Sequence, residues 1–256
     1  MEGDRLSPER TGVVPLIFPD TTALVRAAAA EILRRGRRAA REKGRFDLVL
    51  AGGSTPLALY QTLGRSSSAR ASLWRRTHLF WGDERIVPPA DPASNYGTAW
   101  TSGLDRLAVP PDQVHRAPGE GGNARRAAVI YETDLRTCFP GAAWPRFDLI
   151  LLGLGTDGHV ASLFPGSVAL AERERWVAVA EGGTPEVPRV TLTMPVLNSA
   201  ACVLFLVSGA GKAQMLERMQ GPARLDPVPA QRVRPARGEL RVFADAAAAR
   251  VGERMG

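Results

Sequence analysis

Apolar residues fall in short blocks separated by longer Ala-, Leu- and Arg-rich stretches along most of the chain. Phe46 to Ala51, His78 to Trp81, Leu149 to Leu152, Cys202 to Val207 and Leu240 to Phe243 are mostly apolar runs. Their length and composition fit strands buried on both faces. Val13 to Phe18 predicts a first strand, and Trp176 to Ala180 and Val190 to Thr193 two more. Asp20 or Thr21 can cap a long helix through Arg41 that stops at Gly44. Pro56 sits where a first helical turn would carry on into Leu57 to Leu63. Ser66 to Trp74 reads as a short helical or irregular link, Ala99 to Leu107 as a helix, and Val109 to Pro118 as a Pro-broken connector. Asn123 can cap a helix to Cys138, a further helix runs from Lys212 to about Met219, and Asp245 can cap a terminal one. Residues 221–238 are Pro- and Arg-rich and give no clear pattern. The alternation predicts an α/β fold: one domain over residues 13–256, in three α/β/α layers. A mostly parallel, Rossmann-like sheet would carry helices on both faces. Residues 1–12 are expected to form a tail.

Three of the strands run straight into glycine-rich turns, and ligands in such sheets bind beyond the carboxyl ends of strands. After Leu152 come Gly153, Gly155 and Gly158, which hold Asp157 and His159 just past the strand. An acid and an imidazole there are the best candidates for chemistry. The glycines also match G-x-G-x-x-G, with Glu172 and Glu174 near the distance of a ribose-binding acid. A dinucleotide fingerprint should open a helix directly, and Pro165 and Gly166 leave little room for one. Gly52, Gly53, Ser54 and Thr55 form a second turn, which can cradle an anion at a helix start. It is not a nucleophile elbow, because Pro56 stands where that motif needs glycine. Ser208 to Lys212 repeats the arrangement and adds an ammonium group. It departs from a phosphate-binding Walker loop at Leu206 and Ala213. A cation at a helix N-terminus opposes the macrodipole, so an anionic partner would explain Lys212. Asp83, Glu84 and Arg85 follow the strand ending at Trp81. This triplet is either a solvated loop or part of the site, in which case Arg85 would hold substrate or stabilise an oxyanion and Asp83 would orient a hydroxyl. Asn95 either contacts substrate or caps the next helix.

Composition narrows the classes. No apolar stretch approaches the ~18 to 20 residues of a membrane span. The charged N-terminus, M-E-G-D-R-L-S-P-E-R, predicts no secretory signal. Cys138 and Cys202, the two cysteines, are too few for a disulfide framework, which points to a reducing cytoplasm. The net charge of +7 is spread along the chain without an aromatic-basic module, so no nucleic-acid partner is expected. Of 33 basic residues only Lys43 and Lys212 are lysines, which singles out Lys212. His78 and His115 read as structural. No Cys/His grouping has zinc spacing along the chain, so no metal is expected.

Together these segments resemble the glucosamine-6-phosphate isomerase/6-phosphogluconolactonase superfamily. The matching stretches are A-G-G-S-T-P at 51–56, W-G-D-E-R-I-V-P at 81–88, S-N-Y at 94–96 and G-L-G-T-D-G-H-V-A-S-L-F-P-G at 153–166. P-R-V-T-L-T at 188–193, S-G-A-G-K at 208–212 and, more weakly, P-A-Q-R-V at 229–233 complete the set. Near the C-terminus L-R-V-F-A-D departs from the pattern, with Phe243 where a tryptophan is common. The resemblance implies hydrolysis of 6-phospho-D-glucono-1,5-lactone without a cofactor. The isomerase branch usually reads D-G-H-I-A-F-N-E-P-G, and this chain has no acid in Ser162-Leu163-Phe164-Pro165. His159 would activate water, with Asp157 orienting the imidazole or binding a sugar hydroxyl. Arg85 would stabilise the oxyanion. Ser54, Thr55, Lys212 and Arg189 would hold the 6-phosphate. The expected partner is a phosphosugar lactone, bound by a monomer or weak homo-oligomer with neither nucleic acid nor membrane. A sugar-phosphate isomerase, a non-catalytic phosphosugar sensor and a serine hydrolase are the other readings, in falling order.

Overall fold

The computed structural model describes residues 13–65, 71–222 and 226–249. The strands are β1 (Leu16–Phe18), β2 (Phe46–Leu50), β3 (Thr77–Trp81), β4 (Asp83–Arg85), β5 (Val114–His115), β6 (Leu149–Leu152), β7 (Val177–Ala180), β8 (Arg189–Leu192), β9 (Cys202–Val207) and β10 (Glu239–Asp245). The helices are α1 (Thr21–Glu42), α2 (Ser54–Arg65), α3 (Ala71–Trp74), α4 (Asn95–Thr101), α5 (Ala124–Cys138), α6 (Val168–Ala171), α7 (Met194–Ser199), α8 (Ala213–Gln220), α9 (Pro229–Arg232) and α10 (Ala246–Ala249). Seven strands form one parallel sheet in the order β1-β10-β9-β6-β2-β3-β5.

Alternate residues of the central strands feed two separate cores. Leu48, Leu50, Leu79, Leu149, Leu151 and Leu204 pack with apolar residues of α1 to α4. Val49, Phe80, Ile150, Leu152, Val203 and Phe205 face the other way, toward α5, α7, α8 and α10. This period-two division is why the runs are apolar throughout, and it makes the expected three layers. Asp20 caps α1 and Asn123 caps α5, each accepting a backbone N–H through its side chain.

Four expectations need correction. Trp176 to Ala180 and Val190 to Thr193 do not join the parallel sheet. As β7 and β8 they form a separate antiparallel sheet with β4, in the order β4-β8-β7. Only residues 181–188 link β7 to β8. That is too short for a parallel crossover, which takes a dozen residues or more. Helix α4 starts at Asn95 rather than Ala99 and is capped by Ser94, not Asn95. It ends before Gly103, whose φ of 142° no L-residue adopts easily, and a 3-10 turn over Leu104–Arg106 follows. The Pro-broken connector contains β5, which pairs with β3. Within the Pro/Arg-rich segment α9 forms and docks on the glycine turn, Ala230 N–H donating to the Gly158 carbonyl at 3.0 Å. The expected N-terminal tail lies outside the described residues.

Candidate active site

The chain runs outward from β2 through β3 to β5, then returns to β6 and runs the other way through β9 to β10. The reversal lies between β2 and β6. The turns after β2, β6 and β9 therefore stand side by side at the carboxyl edge, where such sheets bind ligands. A cavity of about 290 Å³ opens there. Gly52, Gly53, Ser54, Thr55, Asp83, Arg85, Asn95, His159, Arg189 and Lys212 all line it. Of the site residues predicted from sequence only Asp157 does not. It reaches the site through its contact with His159.

His159 Nδ1 lies 2.6 Å from Asp157 Oδ1, which also accepts the His159 backbone N–H at 3.0 Å. Partial burial pushes the Asp157 carboxyl up. The backbone N–H and the imidazole of His159 outweigh it and hold the group below the ordinary carboxylate range. An ionised carboxylate only accepts, so the proton of the contact sits on Nδ1, and Nε2 is the ring nitrogen turned away from Asp157. The glycines permit this. A Cβ on Gly155 would stand 2.2 Å from His159 Nδ1 and 2.6 Å from Asp157 Oδ1. Gly158 has φ of 85°, and a Cβ there would meet Val228 at 2.6 Å. No helix follows Gly158 until α6, and Glu172 accepts from the backbone N–H groups of Arg173, Glu174 and Arg175. The dinucleotide alternative therefore lacks its helix.

Phe164 was not singled out from the sequence. Its ring centroid is 4.7 Å from that of His159, and the Arg189 guanidinium lies 5.8 Å from it. Arg189 is directly opposite Arg85 in the antiparallel register of β8 and β4. Arg189 is 3% exposed. Its Nη2 donates to the Pro185 carbonyl, and Arg85 Nη1 donates to the Ala93 carbonyl. The Nε atoms of both are buried without a partner among the described residues.

Asp83 is braced by two neighbouring side chains. Its Oδ2 accepts the Ser162 hydroxyl at 2.6 Å and its Oδ1 accepts Asn95 Nδ2 at 3.2 Å. Both carboxylate oxygens are thus engaged with protein groups. Asn95 Nδ2 also donates to the Asp83 carbonyl at 3.0 Å. Asn95 packs against Gly52, where a Cβ would lie 2.1 Å from Asn95 Oδ1. Glu84 points away, accepting the backbone N–H groups of Arg85, Asn95 and Tyr96 and the Ser94 hydroxyl. Burial raises its pKa despite those donors. It fixes the start of α4, which carries Asn95.

The two other turns are tied together. Thr55 Oγ1 and Ser208 Oγ are 2.5 Å apart, linking the start of α2 to the end of β9. Gly209, at φ 90°, donates its N–H to Asp245, which also accepts Thr21 Oγ1 and Ala248 N–H. Lys212 immediately precedes α8, which has no side-chain cap. Ser54 is exposed at the first position of α2. Ser208 and Asp245 lie in stretches read from sequence, yet only their contacts across the sheet reveal what they hold.

His78 and His115 stay outside the cavity lining. His115 Nε2 is 3.0 Å from His78 Nδ1, and His115 Nδ1 is 2.9 Å from Asp134 Oδ2. Spacing along the chain suggested no metal grouping. In space, donor atoms of His115, Asp134 and Cys138 lie within 4.8 Å of one another, a set able to hold a metal ion. It escaped the sequence reading because β5 and α5 bring it together.

The glucosamine-6-phosphate isomerases/6-phosphogluconolactonase family matches over residues 19–242. A 6-phosphogluconolactonase from Nostoc sp. is 40% identical over 235 residues, covering 91% of this chain and 95% of its own length. The Homo sapiens 6-phosphogluconolactonase is 42% identical over 212 residues, covering 82% and 81%. The solved structure of 6-phosphogluconolactonase from Trypanosoma cruzi superposes with a TM-score of 0.83 at 28% identity, over 94% of this chain and 98% of that one. A monomeric glucosamine-6-phosphate deaminase, at 20% identity and a TM-score of 0.77, shares the fold. With the matched segment running from before α1 into β10, the chain belongs to the glucosamine-6-phosphate isomerase/6-phosphogluconolactonase family.

Proposed function

We propose that this protein hydrolyses 6-phospho-D-glucono-1,5-lactone to 6-phosphogluconate in the oxidative pentose phosphate pathway. The observation that carries the reading is the His159–Asp157 pair beside two anion-holding turns in one cavity. Asp157 keeps the imidazole proton on Nδ1. Nε2 takes a proton from water, which attacks the lactone carbonyl. Charge developing on the carbonyl oxygen is met by the guanidinium of Arg85. The imidazolium then protonates the departing ring oxygen. Ser54, Thr55 and Lys212 hold the phosphate, and that remote grip sets the carbonyl against the base. Asn95, braced by Asp83, meets a sugar hydroxyl. Asp83 serves as a positioning residue. Phe164 stands where the isomerase motif has its Glu and lays its ring against His159, which favours hydrolysis over isomerisation.

Cys138 and Cys202 are both free thiols, which suits the cytoplasm we assign to it. No helix of the described residues is long and apolar enough to cross a membrane. The test is a coupled assay in which glucose-6-phosphate dehydrogenase generates the lactone. The purified protein should accelerate hydrolysis well above the spontaneous rate. Ammonia release from glucosamine 6-phosphate, with no lactone turnover, would replace this reading with the isomerase one. Phosphosugar binding with neither activity would make the protein a sensor.

A further inference from the structure

We infer that Arg85 and Arg189 together form a carboxylate subsite, carried by the small antiparallel sheet and separate from the phosphate cradle at Lys212. It would receive the charge developing at the lactone carbonyl and then hold the carboxylate of the acid product. The inference rests on the proposed lactonase reading and departs from the expectation that Arg189 holds the phosphate.

Four observations lead there. First, the register of β4 on β8 sets Arg85 directly opposite Arg189, so both side chains leave the same face of the sheet. Both line the cavity. Second, neither forms a salt bridge among the described residues, and each has a buried Nε with no partner. Two like charges side by side, one of them almost fully buried, are unfavourable unless an anion joins them. Burial first, and then the charge of Arg85, lowers the pKa of Arg189. Asp83 and Glu84 share this neighbourhood and offset part of the charge, but the oxygens of Asp83 are taken by Ser162 and Asn95 and those of Glu84 by Ser94 and the backbone N–H groups of Arg85, Asn95 and Tyr96. Third, each guanidinium is anchored by one nitrogen to a backbone carbonyl, which aims the remaining N–H groups. A guanidinium pairs with a planar carboxylate through two parallel bonds, which fits this group to that chemistry. Fourth, the Phe164 ring packs on His159 and its centroid lies 5.8 Å from the Arg189 guanidinium, which sets Arg189 on the same side of the cavity as the base. Lys212 sits on a different element, at the start of α8 beyond β9.

A pair of ligands isolates the subsite. 6-Phosphogluconate carries both a phosphate and a C1 carboxylate. Glucitol 6-phosphate keeps the phosphate and has a hydroxymethyl group at C1. The inhibition constants of both are measured against lactone hydrolysis, and their dissociation constants by calorimetry. The wild-type protein should prefer the acid by roughly ten- to a hundred-fold, the worth of a charged hydrogen bond or two. Arg189→Gln should abolish most of that preference and leave glucitol 6-phosphate binding within about twofold. Arg189→Lys should recover only part of it, because an ammonium cannot pair in two places. Lys212→Ala should weaken both ligands by the same factor. Arg85→Gln provides a second variant should Arg189→Gln fail to fold, and the same loss of preference is expected. Equal weakening of both ligands by the arginine substitutions would overturn the inference and return Arg189 to the phosphate. A wild-type protein with no preference would also overturn it. A wild-type protein that binds neither ligand would instead refute the lactonase reading itself.

Discussion

Gly155→Ala should disable the base while leaving the fold in place. The added methyl would stand 2.2 Å from His159 Nδ1 and 2.6 Å from Asp157 Oδ1. Ordinary van der Waals contact begins at 3.4 Å, so the imidazole atom has to retreat by 3.4 − 2.2, about 1.2 Å. That retreat breaks the 2.6 Å Nδ1–Oδ1 contact or moves both partners together. A displacement of about 1 Å at the reacting group costs roughly 10²-fold. The backbone raises no objection, since Gly155 is absent from the positive-φ positions. His159 and Asp157 are 34% and 49% exposed, so they can yield toward solvent. The loss of stability should stay near or below the ~1 kcal/mol lower end for added core bulk. Gly153→Ala is the matched control, because a Cβ there meets nothing within 4 Å. The assay is kcat for the coupled lactone reaction, with thermal unfolding of each variant measured alongside. Gly155→Ala should lose about 10²-fold in kcat and Gly153→Ala almost nothing. Equal, near-wild-type turnover in both would refute the idea that the Asp157–His159 contact sets the base.

Lys212→Ala should raise KM by the roughly 1.5–3 kcal/mol of a charged hydrogen bond and lower kcat as well, since the phosphate grip sets the carbonyl against the base. An unchanged KM would mean the ammonium group is only solvated. Stability should peak near pH 6.5 because the two remote histidines share one proton. Burial pushes His115 down, but Asp134 and Cys138 outweigh it and raise it to about 9. Burial, then Arg45, lowers His78 to about 4. Above 6.5 only the native state keeps the His115 proton, so that stability is lost as pH rises toward 9. Below 6.5 the unfolded chain takes up both protons and the native chain one, so stability falls toward pH 4. Each limb should span on the order of 1–3 kcal/mol. Urea unfolding across pH should show His115→Asn flattening the alkaline limb, and an unaltered limb would contradict the assignment.

Much of the site was legible because its parts are local. β2, β6 and β9 are apolar runs ending in glycine turns, and a turn at a strand end announces itself in a few residues. His159 and Asp157 are two apart and hydrogen-bond to each other. Capping by Asp20 and Asn123 is likewise a three-residue event. What stayed hidden depends on groups brought together from afar. Nothing local ties Asp83 to Ser162, 79 residues away, whose hydroxyl its carboxylate accepts. The pairing of Arg85 with Arg189 required β8 to leave the parallel sheet. The brevity of the 181–188 link carried that signal, and an apolar pattern alone does not distinguish the two sheets. Phe164 reads as an apolar residue before Pro165, and only its position between imidazole and guanidinium gives it a role.

The account stands most directly on turnover by His159→Gln, measured beside its affinity for 6-phosphogluconate. A general base contributes ~10²- to 10⁴-fold, so kcat should fall by that factor while the ligand still binds within a few-fold of wild type. Turnover close to wild type, in a folded variant that binds the ligand, would remove the imidazole from the reaction and the mechanism with it.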